Sequence, residues 1–283
     1  MEITASHIEK ALRLALPNIA YSVRPDYMEA LSNARLAAKK GSREFQVLDL
    51  LYQNDVLANK EKRPLCQDTG SVWVNLEISH KDSLAPGALS YVNDVVAQCY
   101  LEGKLRKSIV KDALLDRANT QTNTPTFIEI TISDKNFSQI NILLKGGGSD
   151  NASVLKMLNP GDGFEGVKNF LIDTVIEKAS KACPPLLIGL GVGGTFDSVA
   201  SLAKHQLLRP IGNENPNKEL NAIEKELLLE VNALGIGPGG LGGNTTAFAV
   251  HIGTAPCHIA ALPVAINMGC SATRSMSINL AEV

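Results

Sequence analysis

Apolar positions recur at helical spacing through the first sixty residues, and the residues between them mark three helices. Ser6-His-Ile-Glu9 has the form of a capping box, Pro25-Asp26 opens a second helix, and Ser42-Arg-Glu44 opens a third, with Gly41 placed as the C-cap between them. At residues 71–78 the period changes to two, with Val72, Val74, Leu76 and Ile78 alternating, which predicts a strand. Residues 87–103 return to a helical pattern ending near Gly103. Residues 127–132 and 140–144 read as a hairpin joined by the polar 133–139 segment. An amphipathic helix is predicted over 163–181, with Val167, Phe170, Leu171, Val175 and Ile176 on its apolar side. Further helices are predicted over 195–208 and 217–234, and short strands over 186–188, 247–252 and 259–264.

The order of these elements predicts a mixed α/β fold: a helical N-terminal segment, then sheet-and-helix lobes around a site built from loops. We expect one domain over 1–283, with the helical segment at about 1–60 and lobes at about 61–209 and 217–283, joined by the 209–217 stretch. No internal repeat or low-complexity segment interrupts it.

With 283 residues, 45% of them hydrophobic, the chain can bury a sizeable core. A net charge of −2 makes no electrostatic case for nucleic acid or an anionic membrane surface. The N-terminus carries charges through its apolar positions, unlike a signal peptide, and the most apolar tract, 245–270, is broken by His251, Pro256, His258 and Pro263. Five scattered cysteines do not form a disulfide framework, so a cytoplasmic, reducing location is expected.

Three of those cysteines carry the candidate chemistry. Cys66 lies in Pro64-Leu-Cys-Gln-Asp-Thr-Gly70, Cys183 in Ala182-Cys-Pro-Pro185, and Cys270 in Met268-Gly-Cys-Ser-Ala-Thr-Arg274. Each sits in a Gly- or Pro-punctuated turn, from which a thiolate can point into a shared pocket. Three thiolates are one short of the four that a cubane iron–sulfur cluster takes, and an iron free of protein is a Lewis acid. Zinc is the competing reading, but its usual paired Cys/His ligands are missing. A cysteine nucleophile would leave two of the turns unexplained. Cys99 and Cys257 read as structural.

Glycine-rich segments offer a further feature. Gly189-Leu-Gly-Val-Gly-Gly194 matches a dinucleotide fingerprint, but no apolar strand with an acidic ribose ligand follows it, and 235–240 fits the same pattern. Close backbone approach, with N–H groups facing an anion, is the better use for these glycines. Lys145-Gly-Gly-Gly-Ser149 suits a backbone nest for a carboxylate.

Beside the thiols, Asp68 could move a proton or hold a hydroxyl, or could merely close an Asx-turn. Arg106 and Arg274 could clamp carboxylates bidentately, with a solvated surface role as the plain alternative for Arg106. His258, on an apolar segment, would by itself be a core histidine.

Taken together these residues resemble the class I, iron–sulfur-dependent fumarate hydratases, specifically the alpha subunit of the two-subunit form, a family that includes L(+)-tartrate dehydratase alpha subunits. The resemblance runs over nearly the whole chain, through residues 64–70, Leu105-Arg-Lys-Ser108, Asn123-Thr-Pro125, 145–149, 183–185, 191–195, 235–245 and 258–274. Asp150 replaces the glutamate often found there and conserves its charge. The resemblance implies that Cys66, Cys183 and Cys270 hold a [4Fe–4S] cluster with one iron not ligated by protein. It places Gln67, Arg106, Gly147 and Gly148 against a small dicarboxylate, with Asp68 as the proton-transfer group and His258 orienting the site.

The chemistry so implied is reversible addition of water to fumarate, giving L-malate, with dehydration of L(+)-tartrate as the alternative. The family's catalytic base and further carboxylate clamps lie in a separate C-terminal domain, so a beta subunit is expected to supply them. Two readings from other classes stand beside it: a non-catalytic iron–sulfur scaffold, which would need neither Asp68 nor Arg106, and a nucleotide-binding module.

Overall fold

A computed structural model describes residues 1–283 and resolves two compact units: Met1–Arg24, Asn54–Gly147 and Arg274–Val283 form unit 1, and Pro25–Gln53 with Gly148–Thr273 form unit 2. Mixed α/β architecture is observed in each. No helix is long and apolar enough to cross a membrane.

Unit 1 contains β1 (Glu2–Ile3), α1 (Ala5–Tyr21), β2 (Ser71–Ser79), β3 (Ser83–Leu84), α4 (Val92–Glu102), β4 (Phe127–Ser133), β5 (Gln139–Lys145) and β10 (Arg274–Asn279). Its main sheet has the order β10-β5-β2-β4, with β2 antiparallel to β5 and parallel to β4. The core joins Ile8, Leu12, Leu16 and Ile19 of α1 and Val92, Val96 and Cys99 of α4 to Val74, Leu76, Ile140 and Ile142 of the sheet. The capping pair of α1 is Thr4 with His7 rather than Ser6 with Glu9: the Thr4 N–H donates to His7 Nδ1 at 3.1 Å.

The predicted hairpin is a correction. β4 and β5 are not neighbours, because β2 lies between them. β2 is buried over most of its length, whereas β4 exposes every second residue, so burial places β2 inside and β4 at the edge. The polar segment after β4 instead closes the end of β2: Ser138 Oγ accepts from the Ser79 N–H at 2.9 Å, and Ser79 Oγ donates to the Lys135 carbonyl at 2.7 Å.

Unit 2 contains α2 (Pro25–Ala37), α5 (Gly147–Asn151) from its second residue on, β6 (Val154–Leu158), α6 (Gly163–Lys178), β7 (Leu186–Gly194), α7 (Phe196–Gln206), α8 (Lys218–Ala233), β8 (Ala247–Cys257) and β9 (Leu262–Gly269). Helix α3 (Arg43–Glu61) contributes residues to both units. The sheet order is β6-β9-β7-β8, with β7 parallel to β8 and antiparallel to β9. Val167, Leu171 and Val175 of α6 and Leu227 and Val231 of α8 pack with Leu186, Ile188, Leu190 and Val264, while Val199 and Ala203 of α7 pack with Ala265.

The glycine fingerprint at 189–194 is not a loop: it belongs to β7, which extends well past the predicted 186–188. Helix α7 lies so close to it that a Cβ on Gly189 would collide with the Ala203 carbonyl, and one on Gly191 would lie 2.6 Å from the Val199 carbonyl oxygen. These glycines serve helix-on-strand packing, not an anion. The 209–217 stretch stays within unit 2, held by the Ile211 N–H donating to Asp26 Oδ2 at 2.7 Å and Asn215 Nδ2 donating to Glu224 Oε1 at 2.8 Å.

Candidate functional site

In unit 1 the turn after α3 carries Cys66, Gln67 and Asp68 into the start of β2. The Leu65 N–H donates to the Ala20 carbonyl and Asn54 Nδ2 to the Leu65 carbonyl, both at 2.9 Å, so the chain is fixed just before Cys66. Cys66 is half-buried, and its thiol donates to the exposed Gln67 side-chain oxygen at 3.3 Å.

Asp68 is held at three acceptors. Its Oδ1 accepts from the Gly70 N–H at 3.0 Å, its Oδ2 from the Gly147 N–H at 2.8 Å, and its main-chain oxygen from Arg274 Nη2 at 2.9 Å. The first contact is the Asx-turn considered as the plain reading; the second brings in the glycine loop that was expected to cradle an outside carboxylate. Its Gly147 N–H serves the chain's own Asp68. A positive φ of 86° at Gly70 makes the turn possible, and the close Lys145 main chain leaves no room there for a Cβ.

Behind this turn stands Tyr100, which local sequence did not single out, beside Asn123 of the 123–125 segment. Tyr100 Oη and Asn123 Nδ2 both donate to the Gly70 carbonyl, at 2.9 and 3.1 Å, and Asn123 Oδ1 accepts from the Ser108 N–H at 2.7 Å. Burial, opposed by the nearby Arg274 charge and reinforced by Asp68, pushes the Tyr100 phenol well above its usual range, so it remains a donor. Arg106 extends from the same wall: its N–H donates to Thr69 Oγ1 at 3.3 Å and its side chain is exposed. Arg274 is fully buried instead, and its Nε and Nη1 have no hydrogen-bond partner.

In unit 2, Cys183 precedes β7 and Cys270 follows β9. Because those strands are antiparallel, both cysteines lie at one end of the sheet. The Ser271 N–H donates to the Cys183 carbonyl at 2.8 Å, joining the two turns. Gly148 is at the same end, where a Cβ would be 3.1 Å from the Lys181 carbonyl oxygen. Cys183 is exposed and has φ 56° and ψ 72°, a left-handed conformation disfavoured for a side chain without a local hydrogen-bonding group. The next two carbonyls are also anchored: Pro184's accepts from the Gly239 N–H and Pro185's from Tyr27 Oη, each at 2.7 Å.

His258 is not brought to that end. It follows β8, whose last residues pair with the far end of β7, so the length of the sheet, roughly 25 Å at about 3.3 Å per residue, separates it from Cys183 and Cys270. There its Nδ1 accepts from the Ala260 N–H at 3.1 Å, and it lines an apolar cavity of about 440 Å³ with Leu190, Val192, Ile252 and Leu262. The resemblance placed His258 with the substrate; β9, extended between His258 and Cys270, spends their separation in sequence on distance.

Within each unit the cysteines present the donor type that an iron–sulfur cluster takes. All five cysteines are free thiols, and Cys66, Cys183 and Cys270 each reach the surface of a fixed turn. Cys99 is different: burial within the unit 1 core raises its thiol above the usual range, as befits a packing residue. No three His, Cys, Asp or Glu side chains gather closely enough for a single metal ion.

A sequence model described as fumarate hydratase (Fumerase) matches residues 9–279. A Methanocaldococcus jannaschii protein named "Putative L(+)-tartrate dehydratase subunit alpha" is 41% identical over 247 residues, covering 84% of this chain and 86% of its own length. The L(+)-tartrate dehydratase subunit alpha of Escherichia coli K12 is 33% identical over 228 residues, covering 79% of this chain and 75% of its own. With a match over residues 9–279, which includes Cys66, Cys183 and Cys270, the chain belongs to the fumarate hydratase (Fumerase) family of hydro-lyases.

Proposed function

We propose that this chain is the alpha subunit of an iron–sulfur hydro-lyase acting on a four-carbon hydroxy-diacid, with L(+)-tartrate as its substrate and oxaloacetate as the product. The hydro-lyase reading rests on Asp68, whose carboxylate is oriented by two main-chain amides. The choice of tartrate over malate rests on the two tartrate dehydratase alpha subunits that match about four-fifths of the chain. Fumarate hydration, the first choice from sequence, becomes the second reading, supported by the family description.

Cys66, Cys183 and Cys270 would hold the cluster, which supplies a Lewis-acidic iron for the substrate hydroxyl when bound. Each Asp68 oxygen has a second lone pair beyond the amide it already accepts from, so Asp68 can carry the proton delivered to the departing hydroxyl without losing its orientation. The exposed Arg106 guanidinium can take a substrate carboxylate bidentately, and Gln67 can read a hydroxyl. No step is assigned to His258. A beta subunit supplies the base that removes the proton on the neighbouring carbon, in keeping with the "subunit alpha" names of the relatives.

The test is an anaerobic assay of the chain with its partner subunit on L(+)-tartrate and on L-malate. We expect kcat/KM at least about tenfold higher for tartrate, a difference of about 1.4 kcal/mol in transition-state binding. Preference for malate or fumarate would move the assignment to the second reading, and turnover of neither would overturn the hydro-lyase reading.

A further inference from the structure

We propose that Tyr27 is a positioning residue for the Cys183 thiol. The proposal rests on the reading that Cys183 is a cluster ligand. The Cys183-Pro184-Pro185 turn has two features that make it depend on outside support. Its cysteine occupies the left-handed region, and its two prolines have no N–H with which to anchor themselves. The two prolines can therefore be fixed only through their carbonyls, and both of these, with that of Cys183, are used. Ser271 holds the first at 2.8 Å, Gly239 the second at 2.7 Å and Tyr27 the third at 2.7 Å.

Ser271 and Gly239 donate from the main chain. Tyr27 donates from a side chain, reaching Pro185 from α2, 158 residues earlier in sequence. Its ring is fully buried and meets Phe248 edge-on, with centroids 5.0 Å apart, so the hydroxyl has little freedom to leave the carbonyl. Burial, with a smaller contribution from Cys270, pushes the phenol well above its usual range, which keeps the donated proton in place. Tyr27→Phe removes one oxygen, keeps the ring, and leaves the Pro185 carbonyl without its partner. The left-handed cysteine is then free to relax, and the thiol loses its fixed direction.

The experiment uses the full chain, reconstituted anaerobically with iron and sulfide, and measures iron release to a ferrous chelator. Tyr27→Phe is expected to assemble the same iron and sulfide content as the wild type but to release iron about tenfold faster. Leu171→Val, on α6 in the core of the same unit and outside the turn, serves as the stability control and should release iron at the wild-type rate. Equal rates for Tyr27→Phe and the wild type, or an equal acceleration in Leu171→Val, would overturn the proposal. Cys183→Ser tests the underlying reading separately: a full iron and sulfide complement in that variant would remove Cys183 from the ligand set. Loss of the cluster in Cys183→Ser together with wild-type behaviour of Tyr27→Phe would reject the Tyr27 role alone.

Discussion

Gly70 offers a quantitative test of how the Asp68 turn is built. Two separate costs meet there on substitution by alanine. The left-handed φ of 86° is one, and it costs an ordinary residue about 1–2 kcal/mol. The other is steric: the new Cβ would strike the Lys145 carbonyl and the Gly146 nitrogen, which are main-chain atoms of the neighbouring strand end and cannot swing aside. Overpacking of this kind costs about 1–3 kcal/mol, so Gly70→Ala should lose about 2–5 kcal/mol in all. Gly87, in the same unit, isolates the first cost. Its φ is 73°, but a Cβ there would meet only the Ser90 hydroxyl at 3.3 Å, a side chain able to rotate. Gly87→Ala should therefore lose only about 1–2 kcal/mol. Urea unfolding can be followed by the fluorescence of Trp73, the chain's single tryptophan, buried in β2 three residues from Gly70. At a slope of about 2 kcal/mol per molar, the midpoint should fall by about 0.5–1 M for Gly87→Ala and about 1–2.5 M for Gly70→Ala. Equal shifts in the two variants would refute the steric argument, and with it the claim that strand packing dictates the shape of the turn.

The other expectations concern charge. Asp68→Asn should retain the iron and sulfide content but lose about 10²–10⁴-fold in turnover, and near-normal turnover would remove Asp68 from proton transfer. Asp55 is buried, and desolvation raises its carboxyl above the ordinary 3.8 despite hydrogen bonds from the Val23 N–H and Ser22 hydroxyl. Between the ordinary value and the raised one, the folded chain binds this proton more tightly than the unfolded chain, so its contribution is present at lower pH and lost as pH rises through the window. Wild-type stability measured relative to Asp55→Asn should accordingly fall as pH increases above 3.8, and a rise would contradict the burial argument.

Local signals in the sequence located most helices. The 163–181 stripe and the Gly103 stop reappear in α6 and in α4 with its C-cap, because they depend only on residues a few positions apart. Strand neighbours were less legible. The 127–132 and 140–144 segments look like partners along the chain, but β2, buried over most of its length, lies between them. Gly189 and Gly191 were misread because their reason, the approach of Ala203 and Val199, lies on a helix that packs back over the strand. β10 was missed although Ser275-Met-Ser-Ile-Asn279 alternates: with only Met276 and Ile278 apolar the run is short, and its place is set by pairing with the distant β5. The chemistry-bearing turns were visible as cysteines and an aspartate. Their supports were less so: Tyr100 and Tyr27 look locally like core residues, and Arg274, read as a carboxylate clamp, instead holds the Asp68 carbonyl from far away in sequence.

The way Asp68 is held bears on how relatives of this chain can differ in substrate. Its two carboxylate oxygens take their direction from the amides of Gly70 and Gly147, and its carbonyl from a buried arginine. None of these donors is a side chain exposed to solvent. Under the proposed function, the proton-handling group is therefore insulated from the surface that discriminates one diacid from another. Exchanges at exposed positions such as Gln67 or Arg106 can change which hydroxy-acid is accepted while leaving the acid itself aimed as before. A fold wired in this way can exchange tartrate for malate by surface drift, without having to reinvent its chemistry.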